Sequence, residues 1–339
     1  MALQMAGRMQ GSKRRGPGSN PVARSARSFA SRLLCWYDEH KRDLPWRKDR
    51  DPYRVWISEI MLQQTRVAAV LEHYQRFLHK FPTLEKLAAA PQASVLSAWS
   101  GLGYYRRARM LHAAARLLLK EHQGRIPESS KGLLGLPGIG RYTAAAIASI
   151  AYDEPAAVVD GNVERVLSRV AGRQLAGVET WHAADALLDT ARPGDFNQAM
   201  MELGATVCLP RQPRCLLCPV ARLCETRGEF KVTRTARRQH KRQVAFGLAR
   251  RNGAVFLVQR ERVQSQMPGM WELPECFADP AAEPLLTLRH SITVTDYLVR
   301  VVEILNPEQG RGRWVPVSQL ESLPLTGLAR KILRRVEVL

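Results

Sequence analysis

The sequence predicts a multidomain protein in which an all-α domain precedes a smaller α+β domain. Apolar residues recur with helical spacing through most of residues 28–228. A basic stretch at 229–242 has almost no core-forming residues, and after it the period of the apolar residues changes to two, as in strands. We therefore predict a disordered basic tail at 1–27, a helical domain at 28–228, a linker at 229–242 and a second domain at 243–339.

The charge of the chain indicates a polyanionic partner. Lys and Arg number 51 against 31 Asp and Glu, which gives a net charge of +20 and a pI of about 10.3. Nucleic acid is the commonest partner of such a protein, and the alternatives are a solubility device or an organellar protein. No apolar run approaches the roughly 20 residues of a membrane span, and the first residues form no secretory h-region. We expect no membrane association, no secretion and a cytoplasmic location, beside the nucleoid if the chain is bacterial.

Within the helical domain, the apolar spacing predicts several elements. One helix is predicted to begin near Tyr53, with a shared apolar face formed by Ile60, Val67, Leu71, Tyr74 and Leu78. A basic amphipathic helix at 106–122 ends before Gly124 and Pro127. An Ala-rich helix is predicted at 141–152.

The stretch 132–170 joins a glycine turn, LPGIG, to a carboxylate. Backbone N–H groups around Gly138 and Gly140 can bind a DNA phosphate without reading sequence, and the alternative is a plain connection between helices. Asp160 precedes a predicted helix, so it is either an N-cap or a chemical group.

Glu59 is a carboxylate inside the apolar run VWISEIMLQQ. Burial without a partner raises the pKa of a carboxyl group toward the range of a general acid, and the alternative is pairing with an arginine. Cleavage of a glycosidic bond needs one carboxylic acid and one carboxylate. Glu59 and Asp160 form a hypothetical pair on this chemistry.

Four of the six cysteines fall within 17 residues with the spacing C-x6-C-x2-C-x5-C. They are Cys208, Cys215, Cys218 and Cys224. Clustering of this kind indicates a metal site in a reducing compartment rather than disulfides. The spacing differs from the common zinc and ferredoxin patterns and leaves the metal open.

In the second domain, Asn252-Gly253 between two apolar runs is typical of a type I′ hairpin. Residues 289–304 are predicted to form one or two strands. Thr326 is predicted to cap a closing helix at 327–336.

Together these residues resemble the helix–hairpin–helix DNA glycosylases related to endonuclease III, and more narrowly the adenine DNA glycosylases of the MutY type. The similarity spans about 28–225 and is carried by six motifs: LPGIG, VVDGN, the four-cysteine loop, LPWR, DPYRVWISEIMLQQT and GLGYY. It implies a glycosylase domain whose loop 208–224 holds a 4Fe–4S cluster through the four cysteines. More weakly, it implies a Nudix-like mispair-recognition domain at 243–339.

The resemblance also implies residue roles. Glu59 would protonate N7 of adenine, Asp160 would stabilise or capture C1′, and Tyr142 and Asn162 would support them. Tyr142 stands where the lyases of this superfamily carry a Schiff-base lysine, so base removal without strand cleavage is expected. The remaining residues expected to bind the flipped base or the DNA are Arg42, Leu44, Trp46, Arg47, Gln64, Thr65, Tyr104, Gln198, Gly138, Gly140 and Thr293.

The implied substrate is adenine opposite 8-oxoguanine or guanine in double-stranded DNA, bound by a monomer with base flipping. The second domain contains QMPGMWELPE but lacks the acidic box that a diphosphatase needs for Mg²⁺, which favours a binding role. Where the family has a Phe-Ser-His loop, this chain has Ile292-Thr293-Val294 after His290 and Ser291, so the histidine is missing or displaced. The alternatives are a bifunctional pyrimidine glycosylase/lyase and a non-catalytic DNA-binding protein.

Overall fold

The computed structural model describes residues 21–229, 240–261, 263–264, 267–277, 283–292, 294–307 and 312–339. The helices are α1 (Pro21–His40), α2 (Pro52–Leu62), α3 (Val67–Lys80), α4 (Leu84–Ala89), α5 (Gln92–Ala98), α6 (Arg106–Glu121), α7 (Ser130–Leu133), α8 (Arg141–Tyr152), α9 (Gly161–Val170), α10 (Val178–Leu187), α11 (Pro193–Thr206) and α12 (Gly327–Arg335). In the part of the chain described, no helix has the length and apolar character needed to cross a bilayer.

The prediction of a single helix that begins near Tyr53 is wrong, because the structure has two helices there, α2 and α3. Gln64 lies between them with a φ of 55°, in the left-handed region that a right-handed helix does not pass through. Both helices place their apolar residues in the same core, which explains why their residues follow one periodic pattern.

Two predicted boundaries also need correction. Residues 21–27 belong to α1 rather than to a disordered tail, since Pro21 is tolerated in the first turn of a helix and alanines and arginines favour its continuation. Residues 240–242 belong to the first strand rather than to the linker, because they pair with residues 295–297. Residues 1–20 and 230–239 lie outside the described part.

The helical domain has two apolar cores. One is built from α2 to α8 around large buried side chains such as Trp56, Phe77 and Trp99. The other combines α1 with α9, α10 and α11 around Phe29 and Phe196. Along the chain, α1 therefore belongs to the second core, α2 to α8 form the first, and α9 to α11 belong to the second again. A cleft forms where the two cores meet.

The described residues of the C-terminal region form two sheets. Its strands are β1 (His240–Leu248), β2 (Arg250–Arg251), β3 (Ala254–Gln259), β4 (Trp271–Glu272), β5 (Leu286–Ile292), β6 (Thr295–Glu303) and β7 (Gly312–Pro316). In one sheet β6 lies between β1, to which it is parallel, and β5, to which it is antiparallel. In the other, β3 pairs with β2, β4 and β7.

Both local predictions in this region are confirmed. Asn252 and Gly253 have φ angles of 49° and 71° between β2 and β3, as a type I′ turn requires. The hydroxyl of Thr326 accepts the N–H of Ala329 and caps α12. The predicted strands at 289–304 correspond to parts of β5 and β6.

Candidate active site

The cleft between the two helical cores holds a cavity of about 220 Å³. That is far more than the ~30 Å³ share of one water and below the range of drug-sized pockets, so it suits one small ligand. Ten of the residues predicted from the sequence line it: Arg42, Leu44, Trp46, Arg47, Glu59, Thr65, Tyr142, Asp160, Asn162 and Gln198.

Glu59 lies on the cavity wall contributed by α2 and is only 5% exposed. Its Oε2 atom accepts a hydrogen bond of 2.9 Å from the hydroxyl of Tyr142 on α8. Burial raises the pKa of Glu59 to about 7, partly opposed by that hydrogen bond, while the charge of Asp160 raises it further. Among the described residues no arginine hydrogen-bonds to Glu59, and its raised pKa lets it carry a proton near neutral pH.

Asp160 serves as a helix cap and also faces the cavity. Its Oδ1 atom accepts the N–H groups of Asn162 at 2.9 Å and Val163 at 2.7 Å, at the first turn of α9. Its Oδ2 atom accepts the side-chain amide of Asn162 at 3.1 Å. The N-terminus of α9 and these N–H donors stabilise a negative charge at this carboxylate. Asp160 can therefore cap α9 and still present its carboxylate to the cavity.

A buried carboxylate that sequence reasoning missed holds the arginines at the cavity. Glu202, on α11, has a fully buried side chain and accepts hydrogen bonds from Arg42 at 2.6 Å and from Arg47 at 2.9 Å. Burial acts to raise the pKa of Glu202, but the two guanidinium groups outweigh it and lower that pKa. Arg47 also donates to Gln198 at 3.2 Å. Glu202 lies in an apolar run, QAMMELGA, the same pattern that singled out Glu59.

Several predicted residues lie outside this cavity. Gln64 and Tyr104 are exposed, and Tyr104 has a left-handed φ of 48° as Gln64 does. Gly138 has a φ of 77°, and a Cβ there would lie 2.5 Å from Cβ of Met110. Gly140 caps α8, with open space where its side chain would begin. Thr293 is outside the described residues.

Two further arginines link the site to its surroundings. Arg107, on α6, donates to the carbonyl oxygens of Ile60, Met61 and Gln63 at the end of α2. Arg165, on α9, donates to the side-chain oxygen of Asn162 at 2.8 Å and to the carbonyl of Cys208 at 2.9 Å. Nothing in the sequence distinguishes either from its neighbouring arginines.

The four clustered cysteines line a second cavity, together with Arg169. A guanidinium N–H of buried Arg169 lies 3.2 Å from Sγ of Cys208 and another 2.7 Å from the carbonyl of Leu209. In the described ranges, no three His, Cys, Asp or Glu side chains are close enough together to hold one metal ion. The thiols surround a shared space instead.

Comparison with known proteins places this geometry in context. The family described as "HhH-GPD superfamily base excision DNA repair protein" matches residues 57–177. An adenine DNA glycosylase of Rattus norvegicus is 52% identical over 212 residues, which are 58% of this chain and 41% of the rat protein. The chain thus spans about two fifths of the length of that relative.

A bacterial relative is matched over most of its length. An adenine DNA glycosylase of Buchnera aphidicola subsp. Baizongia pistaciae is 33% identical over 260 residues, which cover 74% of this chain and 73% of that protein. Among solved structures, a thermostable thymine-DNA glycosylase superposes with a TM-score of 0.58 at 32% identity, covering 61% of this chain and 99% of that one.

Proposed function

Because this chain belongs to the adenine DNA glycosylase family, we propose that it hydrolyses the N-glycosidic bond of adenine mispaired with 8-oxoguanine or guanine in double-stranded DNA. One observation carries the proposal: a buried Glu59 with a raised pKa shares a cavity with the hydrogen-bonded carboxylate of Asp160. These are the acid and the anion that glycosidic cleavage requires.

The proposed reaction starts with extrusion of the adenine into the cavity, where Arg47 and Trp46 line one side. Glu59 gives its proton to N7 of the base as the bond between C1′ and N9 breaks, and the bonding electrons leave with the base. Asp160 faces the positive charge that develops on the sugar. Water then adds at C1′, and the proton that it loses balances the one that Glu59 gave.

Tyr142 favours base removal alone. A lyase forms an imine between an amine and C1′, and Tyr142 offers a hydroxyl that already donates to Glu59. We therefore expect an abasic site as product. Trapping of a covalent adduct by borohydride on DNA with oxidised pyrimidines would favour the bifunctional alternative.

The proposed DNA contacts surround the cavity. Gln64 and Tyr104 are exposed on tight loops and would enter the duplex beside the mispair. The open N-terminus of α8 at Gly140 suits a phosphate, since helix N-termini favour anions. We assign the C-terminal region to mispair recognition as a Nudix-like module, with Thr293 as the candidate contact to the oxidised guanine.

We propose that Cys208, Cys215, Cys218 and Cys224 hold a 4Fe–4S cluster. The fit rests on four thiols that line one cavity, the number of thiolates that a 4Fe–4S cluster takes as ligands. When bound, the cluster would fix a loop that has little apolar core of its own, including the exposed Leu216.

A glycosylase assay tests the proposed function. Duplexes with adenine opposite 8-oxoguanine, guanine or thymine are incubated with wild-type protein and with Glu59→Gln, and free adenine is measured. Release from the first two duplexes, little release from the third and loss of release in the variant are expected. Equal release by wild type and variant would rule out the catalytic assignment and favour the non-catalytic alternative. Comparison with Val294→His tests whether a histidine at this position sharpens the preference for 8-oxoguanine.

A further inference from the structure

The loop at 101–104 presents Tyr104, whose side chain is 49% exposed. Gly101, Gly103 and Tyr104 have φ angles of 109°, 70° and 48°. The φ of Gly101 favours glycine, and a Cβ there would also lie 2.8 Å from Nε2 of His73, which would have to move. A tyrosine in the left-handed region is strained, and its conformation persists only where surrounding contacts impose it.

The residues on both sides of this loop are fixed by the C-terminal region. Ser100 and Tyr105 are both buried, and each donates its hydroxyl to the carbonyl oxygen of Leu325 over 3.1 Å. A carbonyl oxygen has two lone pairs, so the two donors satisfy it fully. Arg330, at the start of α12, donates to the hydroxyl of Ser100 over 3.0 Å. One carbonyl therefore anchors both ends of the loop.

Leu325 is held firmly within its own region. Its side chain is fully buried in the C-terminal core. On either side of it, Trp271 donates its N–H to the carbonyl of Pro324, and Thr326 donates its N–H to the carbonyl of Trp271, both over 2.9 Å. The anchor is thus part of a sheet-supported segment, since Trp271 lies in β4.

Neighbouring contacts make the junction continuous. Ser97 donates its hydroxyl to the carbonyl of Glu321 over 3.1 Å, and Arg109 donates to the carbonyl of Pro268. Met270, from the C-terminal region, is fully buried in the core of α2 to α8. The C-terminal region therefore packs on the same part of the helical domain that carries Tyr104.

The opposite side of the loop is held at the rim of the catalytic cavity. Arg107 donates to the carbonyls of Leu102 and Gly103 at 3.3 and 3.2 Å, and to the hydroxyl of Thr65 at 3.0 Å. Thr65 lines the cavity. The loop thus lies between the cavity rim and the C-terminal region, with polar contacts to both.

We propose that Ser100 and Tyr105 are positioning residues through which the C-terminal region holds the Tyr104 loop in the conformation that base extrusion needs. The role in extrusion rests on the proposed function; the positioning contact itself does not. Loss of the contact should loosen the loop and slow extrusion of a paired adenine. It should leave the chemistry of an adenine that needs little extrusion nearly unchanged.

Hydrogen exchange of the free protein tests the contact without DNA. Wild type, Tyr105→Phe, Ser100→Ala and a control are compared by mass spectrometry of peptides that cover residues 100–107. The control is Tyr53→Phe, which removes another buried tyrosine hydroxyl bond to a carbonyl, that of Phe81 at 2.8 Å. Exchange about fivefold faster in both junction variants is expected, and no change there in the control.

Single-turnover adenine release tests the consequence. Adenine opposite 8-oxoguanine is compared with adenine opposite an abasic site in the same duplex, since the second base is unpaired and costs less to extrude. Tyr105→Phe should slow release from the first about fivefold and from the second less than about twofold. Tyr53→Phe should leave the ratio of the two release rates at its wild-type value.

The proposal is overturned if exchange at 100–107 in the junction variants equals that of Tyr53→Phe, or if both substrates slow equally. A wild-type protein that releases no adenine from either duplex refutes the proposed function instead. In that case the exchange data alone decide whether Ser100 and Tyr105 position the loop.

Discussion

The hydroxyl of Tyr142 donates to Oε2 of Glu59 over 2.9 Å, and this hydrogen bond opposes the effect of burial on the carboxyl group. Burial and, to a smaller extent, the charge of Asp160 raise the pKa of Glu59, whereas a donor to the carboxylate stabilises the charged form; the net result is a pKa of about 7. The residue also lines the cavity. The hydrogen bond from Tyr142 therefore limits the rise of the pKa of Glu59 and fixes the position of Oε2.

Glu59→Gln should abolish most adenine release while DNA binding is kept. Gln has nearly the same shape and still accepts from Tyr142, but it has no acidic proton, so the rate should fall about 10²–10⁴-fold. Single-turnover release from adenine opposite 8-oxoguanine measures this. Glu72→Gln, an exposed carboxylate on α3, is the control and should retain the wild-type rate. A loss below tenfold would contradict the role of Glu59.

The rate should depend on pH through Glu59. A general acid works in its protonated form, so release should be constant below about pH 7 and fall about tenfold per unit above it. Tyr142→Phe removes the hydrogen bond that lowers this pKa, so the midpoint should move to higher pH. Tyr152→Phe, whose hydroxyl donates to Ile126 at the far end of α8, should leave it unchanged. A midpoint shifted to lower pH in Tyr142→Phe would refute the assignment.

Glu59 should also make the fold less stable as the pH rises from about 4.5 to about 7. Its pKa rises from 4.5 to about 7 on folding, so the unfolded chain loses the proton first and stability falls as pH rises between these values. Above them the loss is about 3 kcal/mol. Urea unfolding should therefore find Glu59→Gln more stable than wild type by about that amount near pH 8. Near pH 4.5 the two proteins should be nearly equal.

Gly204→Ala should damage the site through packing. A Cβ at this position of α11 would lie 2.6 Å from Cβ of Asn162, which donates to Asp160. The overlap forces α9 and α11 apart at a cost of about 1–3 kcal/mol, and adenine release should fall with it. Gly161→Ala is the stability control in urea unfolding, because a Cβ at Gly161 would have no neighbouring atom within 4 Å. Equal unfolding midpoints for the two variants would contradict the packing argument.

Purified protein should contain about four irons and four sulfides per chain and absorb visible light, as a 4Fe–4S cluster bound by four thiolates does. Cys218→Ser should lower the iron content and destabilise residues 208–224. Cys276→Ser is the matched control, since that cysteine lies in the C-terminal region, and should retain the iron. One zinc per chain instead of iron would contradict the cluster.

Much of the site was predictable because its residues break a local pattern. Glu59 interrupts an apolar helix, and Asp160 stands at a helix start, so each is conspicuous within its own segment. Glu202 breaks the pattern in the same way and was nonetheless missed. It pairs with Arg42, 160 residues away, and no local spacing indicates that contact.

Other features were not accessible from local sequence. The break between α2 and α3 depends on a left-handed Gln64 and on carbonyls that Arg107 satisfies from a distant helix. The junction between Tyr105 and Leu325 joins residues 220 positions apart. Such contacts arise from tertiary packing, which overrides the propensities that a sequence displays. The roles of the DNA-contacting residues stay predictions.

The return of the chain to the core that holds α1 sets an order of events during synthesis. Arg42 and Arg47 leave the ribosome long before Glu202, and at ~5–20 residues per second the 160-residue interval between Arg42 and Glu202 takes about 8–30 s. The core of α2 to α8 can assemble in that time. Glu59 then lies beside a cavity that still lacks the residues of α11. A nascent chain that stalls before α11 would lack Glu202, the buried carboxylate that pairs with Arg42 and Arg47, and the cavity wall that α11 contributes.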